Sequence, residues 1–515
     1  MHLLHIVSHK LKPSILFTVV MLISLGLTVR PAFSAPLVTL TVNDTTDLSD
    51  VTPGDGICDT SSGTAGSQCS LRAAIQELNA QGVAANPHRI EFNIPGSAPF
   101  VIAPAAPLPL INVPVVIDGE TQPGSSCANV TNPAALQIVV DGSSAGVGAI
   151  GLQLSTGSDG STLRGLVIGN FQLAGIRLSS SNNVIRCDYI GIGADGVTAM
   201  PNISEGVIVN GINNIIGGQN AVAQRNVISG NGSAGLYFTG GYNQVGGNYI
   251  GTSADGMTPV ANNLGIYVGG TGNQIGTTAV LGRNLISGNT GAGVRLNNSQ
   301  SNILYGNYIG VAADGTTSLP NAGNGIEVMG GAVSNIIGGT GPGQANLIAH
   351  NGLEGISLSS NFTGTPVQIT FRGNNIHANN NLGINLGSNS VDTNDVGDVD
   401  TGENDFQNYP VLQMAAGSTV IAISLDSQAN TQYTIDLYKN VSCDPSGYGE
   451  GQNHIYVGVV TTDGFGHAGI NTDLTGLASS GKSITATATD PNGNTSEFSS
   501  CVLIPYSIYL PVTLR

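Results

Sequence analysis

A glycine followed by alternating apolar residues recurs along the middle of the chain, beginning at Gly175, Gly206, Gly235, Gly265, Gly293, Gly325, Gly355 and Gly383, with intervals of 28 to 32 residues. A weaker copy begins at Gly151. A period near thirty residues is the signature of a solenoid, in which a single unit cannot bury its own apolar face and stacked units share one core. Strand alternation places the first and third residues after each glycine on one side. Those pairs run from Ile176/Leu178 through Val207/Val209 and Leu236/Phe238 to Ile384/Leu386, and every member is apolar. This side faces the interior.

Six successive units carry an asparagine eight to ten residues beyond the glycine: Asn183, Asn214, Asn243, Asn273, Asn302 and Asn335. Aligned asparagines bond along a stack and satisfy backbone groups at a sharp bend. The units also alternate in type. Tyr189-Ile190-Gly191, Tyr249-Ile250-Gly251 and Tyr308-Ile309-Gly310 each precede an Ala-Asp-Gly turn at Asp195, Asp255 and Asp314, which read as loop formers. The intervening units carry Asn226-Val227-Ile228-Ser229-Gly230 and Asn284-Leu285-Ile286-Ser287-Gly288. Upstream, Ser70 precedes Leu71, Ala74, Ile75 and Leu78, an N-capped amphipathic helix suited to covering the solenoid's open end. After residue 410 the stretches Val420–Leu425, Gln432–Tyr438, Ile455–Val460 and Ser483–Thr489 predict a small β-sandwich.

Cys69-Ser70-Leu71-Arg72-Ala73-Ala74-Ile75 resembles the Cys-Ser-Leu-Arg-Glu-Ala motif that names a family of exported bacterial β-helix proteins, with Ala73 where the motif has Glu. The repeats resemble the right-handed β-helix repeats of pectate-lyase-like folds, over most of residues 38–410, and the C-terminal region resembles Ig-like modules. The resemblance implies fold and export, not a reaction. The expectation is an all-β chain: a right-handed parallel β-helix solenoid with an N-terminal cap helix, followed by a small β-sandwich. The expected divisions are an export segment (1–34), a cap region (35–95), the β-helix (96–390), an acidic loop (391–410), the Ig-like sandwich (411–505) and a tail (506–515).

Lys10, Lys12 and the apolar run Ile15–Val29 before Ala32-Phe33-Ser34 read as a cleaved secretory signal, so a secreted or cell-surface bacterial protein with no membrane span in its mature form is expected. Its removal takes away three cations and no acids, moving the formal charge from −17 to −20. Such a balance argues against nucleic acid and anionic lipid as partners, because both need a cationic face. Glycine, at 73 of 515 residues, accompanies 40% apolar residues, which separates an ordered, turn-rich chain from a disordered one. The six cysteines fit an oxidising compartment. Cys58 with Cys69 and Cys443 with Cys501 are the expected bridges; the pairing of Cys127 and Cys187 is left open. A monomer is expected.

Three groups of residues carry candidate chemistry. The second residue after each repeat glycine points outward, giving a surface column of Arg177, Ile208, Tyr237, Tyr267, Arg295, Glu327, Ser357 and Asn385. Tyr237 and Tyr267 read as an aromatic platform, with Arg177, Arg295 and Glu327 able to hold sugar hydroxyls or carboxylates; the competing reading is an ordinary solvated sheet face. His350 and Glu354 depart from the repeat, with Arg372 and His377 one coil later, and Glu327, Arg295, His350 and Glu354 are the candidate catalytic groups. Asp392, Asp395, Asp398, Asp400 and Asp405 alternate with glycines in a pattern that suits Ca²⁺, against the reading of a solvated acidic linker. The Asn-Thr-Asp, Asp-Asp and Gly-His-Gly motifs of β-helix polygalacturonases are absent, and so are lysine in the helix and tryptophan anywhere. A polysaccharide- or cell-surface-glycan-binding, adhesive or structural role therefore leads over a polysaccharide lyase or glycoside hydrolase.

Overall fold

The computed structural model describes residues 37–504 apart from 64–67, 220, 388–389 and 416–417. The expected export segment and the 506–515 tail lie outside the described residues.

The repeat builds a right-handed parallel β-helix with three sheets. In the order the chain visits them within a coil, a nine-stranded sheet runs from Leu152–Leu154 to Ile384–Leu386, an eleven-stranded sheet from Thr39–Val42 to Thr370–Phe371, and a ten-stranded sheet from Phe100–Ile102 to Asn375–His377. These are called the column, broad and tyrosine sheets below. Successive repeat units pair in register: Val207 lies between Ile176 and Leu236, and Ile266 between Leu236 and Val294. The inward pairs are fully buried in one continuous apolar core.

Asparagines hold all three corners between sheets. The expected ladder runs from Asn183 to Asn335: the backbone N–H and Nδ2 of each asparagine donate to Oδ1 of the next, as in Asn214 to Asn243 at 2.8 and 3.0 Å. A second ladder joins Asn226, Asn248, Asn284, Asn307, Asn346 and Asn374. A third runs from Asn202 to Asn379. Each rung satisfies polar groups at a bend that water does not reach.

Both ends of the core are closed. At the N-terminus the helix Leu71–Gln81 is capped by Ser70, whose side chain accepts from the Ala73 N–H, and it lays Leu71, Ile75 and Leu78 on the core. Cys58–Cys69 staples the preceding loop. At the other end two antiparallel sheets, of three and four strands, share an apolar core of Leu412, Ile421, Ile423, Tyr433, Ile435 and Ile484 and form the sandwich. Its Tyr438 and Phe498 belong to the β-helix core, with the Tyr438 hydroxyl accepting from the Gly373 N–H at 3.0 Å. The sandwich thus plugs the solenoid, and the described residues of both form one compact unit. Cys443–Cys501 lies in the sandwich, and Cys127 and Cys187 are bonded to each other.

Candidate functional site

The column sheet aligns the expected outward residues strand by strand. Arg177 pairs with Ile208, Ile208 with Tyr237, Tyr237 with Tyr267, Tyr267 with Arg295, and Arg295 with Glu327. At a strand spacing near 4.8 Å, Arg177 and Glu327 stand about 24 Å apart. Two members differ from expectation: Ile208 and Asn385 are buried, at 9% and 3% exposure. Ile208 lies under Tyr237 with Ile150 and Ala174, and the Asn385 side chain turns to Glu354.

Tyr237 and Tyr267 stack with ring centroids 4.6 Å apart and planes within 10°. Each ring covers one face of the other, so the sheet surface presents ring edges and hydroxyls rather than the flat platform the spacing suggests. In-register side chains on neighbouring parallel strands meet face to face along the helix axis, which is the physical reason. The pair rests on Ala234, Leu264 and Ala292. The Tyr267 hydroxyl accepts from Asn297 Nδ2 at 3.1 Å, and Arg295 Nε donates to Glu327 Oε2 at 2.7 Å. Burial raises the Tyr237 pKa, with Tyr267 and Glu205 adding to the effect.

The catalytic candidates separate. His350 meets His377 edge to face, with centroids 5.9 Å apart, and burial followed by His350 lowers the His377 pKa. The Glu354 carboxylate is buried and accepts from Asn381 and Asn385 at 3.1 and 3.5 Å, so it holds the last coil together. Arg372 pairs with Asp436 of the sandwich through Nε and Nη2, at 2.5 and 3.0 Å, and is an anchor.

Of the five aspartates, Asp395, Asp398 and Asp400 converge, offering oxygens within 4.8 Å of one another. Asp405 instead accepts from Asn494 Nδ2 at 3.0 Å, and the Asp392 N–H donates to Glu497. Asp398 is already engaged by the Asn408 N–H and the Ser427 hydroxyl, and burial pushes its pKa up to about 6. The loop is therefore tied to the sandwich by its own hydrogen bonds.

Sequence reasoning missed Glu205, which sits near Tyr237 and accepts from Ser204 Oγ at 2.6 Å and Ser233 Oγ at 3.3 Å. Its signal was available, because it precedes a repeat glycine just as Glu354 does. Also missed was a charged group on the broad sheet, where buried Asp118 takes both Arg164 and Arg89.

The chain matches no family model and no curated protein. Among solved structures it is similar to full-length tailspike protein 2 from Escherichia coli O157:H7 bacteriophage CAB120, at 11% identity and TM-score 0.31, covering 83% of this chain and 65% of that one. It is also similar to pectate lyase Pel9A, at 13% identity and TM-score 0.27, covering 67% and 80%. The mannuronan C-5 epimerase AlgE4 A-module of Azotobacter vinelandii is similar at 15% identity and TM-score 0.25, covering 68% and 87%. The chain thus spans 65% of the tailspike's length. Likeness at this level says nothing of activity.

Proposed function

We propose that this is an extracellular β-helix protein that binds a glycan chain along the column sheet. The observation that carries the reading is the in-register run of hydrogen-bonding groups Tyr237, Tyr267, Arg295 and Glu327, flanked by Glu205 and Asn297, with Arg177 beyond the buried Ile208. The tyrosine hydroxyls, guanidinium and carboxylates suit sugar hydroxyls. They stand on strands locked in place before any ligand arrives, so binding orders little of the protein. The three disulfides fit an oxidising compartment, and no helix among the described residues is long and apolar enough to cross a membrane.

A second reading, polysaccharide cleavage, draws on His350 and His377, which meet edge to face, with burial and then His350 lowering the His377 pKa and so favouring the neutral imidazole that a general base requires. The two are separated by incubating the protein with plant and microbial polysaccharides, measuring both retention of protein on each polymer and new chain ends. Retention without new ends is the expected result. New ends that vanish in His377→Gln would replace binding by catalysis.

A further inference from the structure

The tyrosine sheet carries a second, separate feature. Its outward residues alternate Tyr189, Val227, Tyr249, Leu285, Tyr308 and Leu347 in register. Tyr189 is buried, its hydroxyl donating to the Ala134 carbonyl at 3.1 Å, whereas Tyr249 and Tyr308 are half-buried. An arginine lies over each of these two rings. Arg225 Cζ is 3.9 Å from the Tyr249 centroid and Arg283 Cζ is 3.9 Å from that of Tyr308. The turn glycines Gly256 and Gly315 press on the same rings: an added Cβ at either would come within 2.8 Å of ring atoms. Both glycines have left-handed backbone, at φ 74° and 71°, so the rings are seated where a side chain is unfavourable.

Neither arginine forms an ion pair, which among the described residues holds for Arg177 and Arg186 as well. Arg72, Arg89, Arg164, Arg295 and Arg372 each pair with a carboxylate. Among the described residues the Arg225 side chain makes no hydrogen bond or ion pair, and its Nε is buried without a partner. Arg283 makes one bond, from Nε to the Gly306 carbonyl at 3.0 Å. The acids of the adjoining turns are engaged locally, Asp255 by Ser253 and the Met257 N–H, Asp314 by Thr316 and Thr317. Burial lowers the Arg225 pKa, opposed by Tyr249 and Tyr189. Arg225 and Arg283 are set apart from Arg177 and Arg186 by lying over tyrosine rings at one place, with no carboxylate among the residues that line it.

Both arginines and both tyrosines line one hollow of about 150 Å³, together with Val280, Leu281, Leu285 and Ala313. Val280 and Leu281 are 72% and 47% exposed and form an apolar flank. We propose that this hollow binds an acidic sugar residue, its anionic group held between Arg225 and Arg283 and its ring against Val280 and Leu281. The unit ends after two copies, since Ala345 stands where Arg225 and Arg283 stand in the coils before. The site is on a different sheet from the glycan column and does not depend on it.

The test is calorimetric titration at low salt with trigalacturonate, with a sulfated trisaccharide, and with neutral maltotriose. Binding of an acidic trisaccharide but not of maltotriose is expected, weakening at least tenfold in both Arg225→Gln and Arg283→Gln and falling as salt rises. A carboxylate preference and a sulfate preference are distinguished by the first two ligands. Tyr267→Ser and Glu327→Gln, which alter the column, are expected to leave this binding unchanged. The proposal is overturned if neither acidic ligand binds, if both arginine variants bind as well as the parent, or if the column variants abolish the binding instead. Unchanged melting of Arg283→Gln separates loss of the site from loss of the fold.

Discussion

At the scale of single residues, the fold rests on asparagine, and one rung is the wrong acid–amide partner. Asp188 occupies the first place of the second ladder. Its N–H donates to Asn226 Oδ1 at 3.0 Å and its Oδ1 accepts from the Leu166 N–H at 2.9 Å. Its Oδ2 replaces the donating Nδ2 of every later rung and is buried with no partner. Burial accordingly drives its pKa well above the usual carboxylate range. Asp188→Asn is expected to stabilise the protein at pH 7 by about 1–2 kcal/mol. The gain should shrink at pH 4, where the unfolded chain also holds the proton; a thermal melt at both pH values checks it. Only the first ladder was read from the sequence. The third keeps a constant offset of three or four residues before each repeat glycine and was legible. The second was hidden because its rungs are 22, 36, 23, 39 and 28 residues apart, as loops of different lengths intervene.

At the scale of elements, the junction between solenoid and sandwich gathers acids whose pKa values burial raises. Burial pushes Glu497 up to about 8, although it accepts from the Leu386 and Asp392 N–H groups, and pushes Glu450 to about 7 and Asp398 to about 6. An acid with a raised folded pKa keeps a proton that the unfolded chain has already released. Stability from these three groups therefore falls as pH rises from the ordinary carboxylate range through 6, 7 and 8. Asp436 works the other way: burial raises it, but His454 and Arg372 outweigh this and hold its pKa low, so its contribution is lost in strong acid. A melting temperature highest near pH 5 and lower at pH 8 is expected, and Glu497→Gln should flatten the alkaline side. The plug itself was not legible. Strand patterning located the sandwich, but Tyr438 and Phe498 look like ordinary sandwich residues until the open end of the solenoid stands opposite them.

At the scale of the whole molecule, a core closed by a helix at one end and a sandwich at the other should unfold as a unit. One calorimetric transition is expected because Tyr438 and Phe498 of the sandwich belong to the β-helix core, and a separate early transition for the sandwich would contradict that shared packing. The strand register from Arg177 to Glu327 follows from the repeat alone, whereas the burial of Ile208 within it does not. Nor does the orientation of the tyrosine rings, which depends on how adjacent rings pack. The central claim is that this column binds glycan. The most direct measurement compares retention on the best-bound polysaccharide of the parent and of a variant carrying Tyr237→Ser, Tyr267→Ser, Arg295→Ser and Glu327→Ser, both confirmed folded by melting. Loss of retention in the variant is the predicted result. Equal retention would mean that the column is a solvated face and that the protein does its work elsewhere.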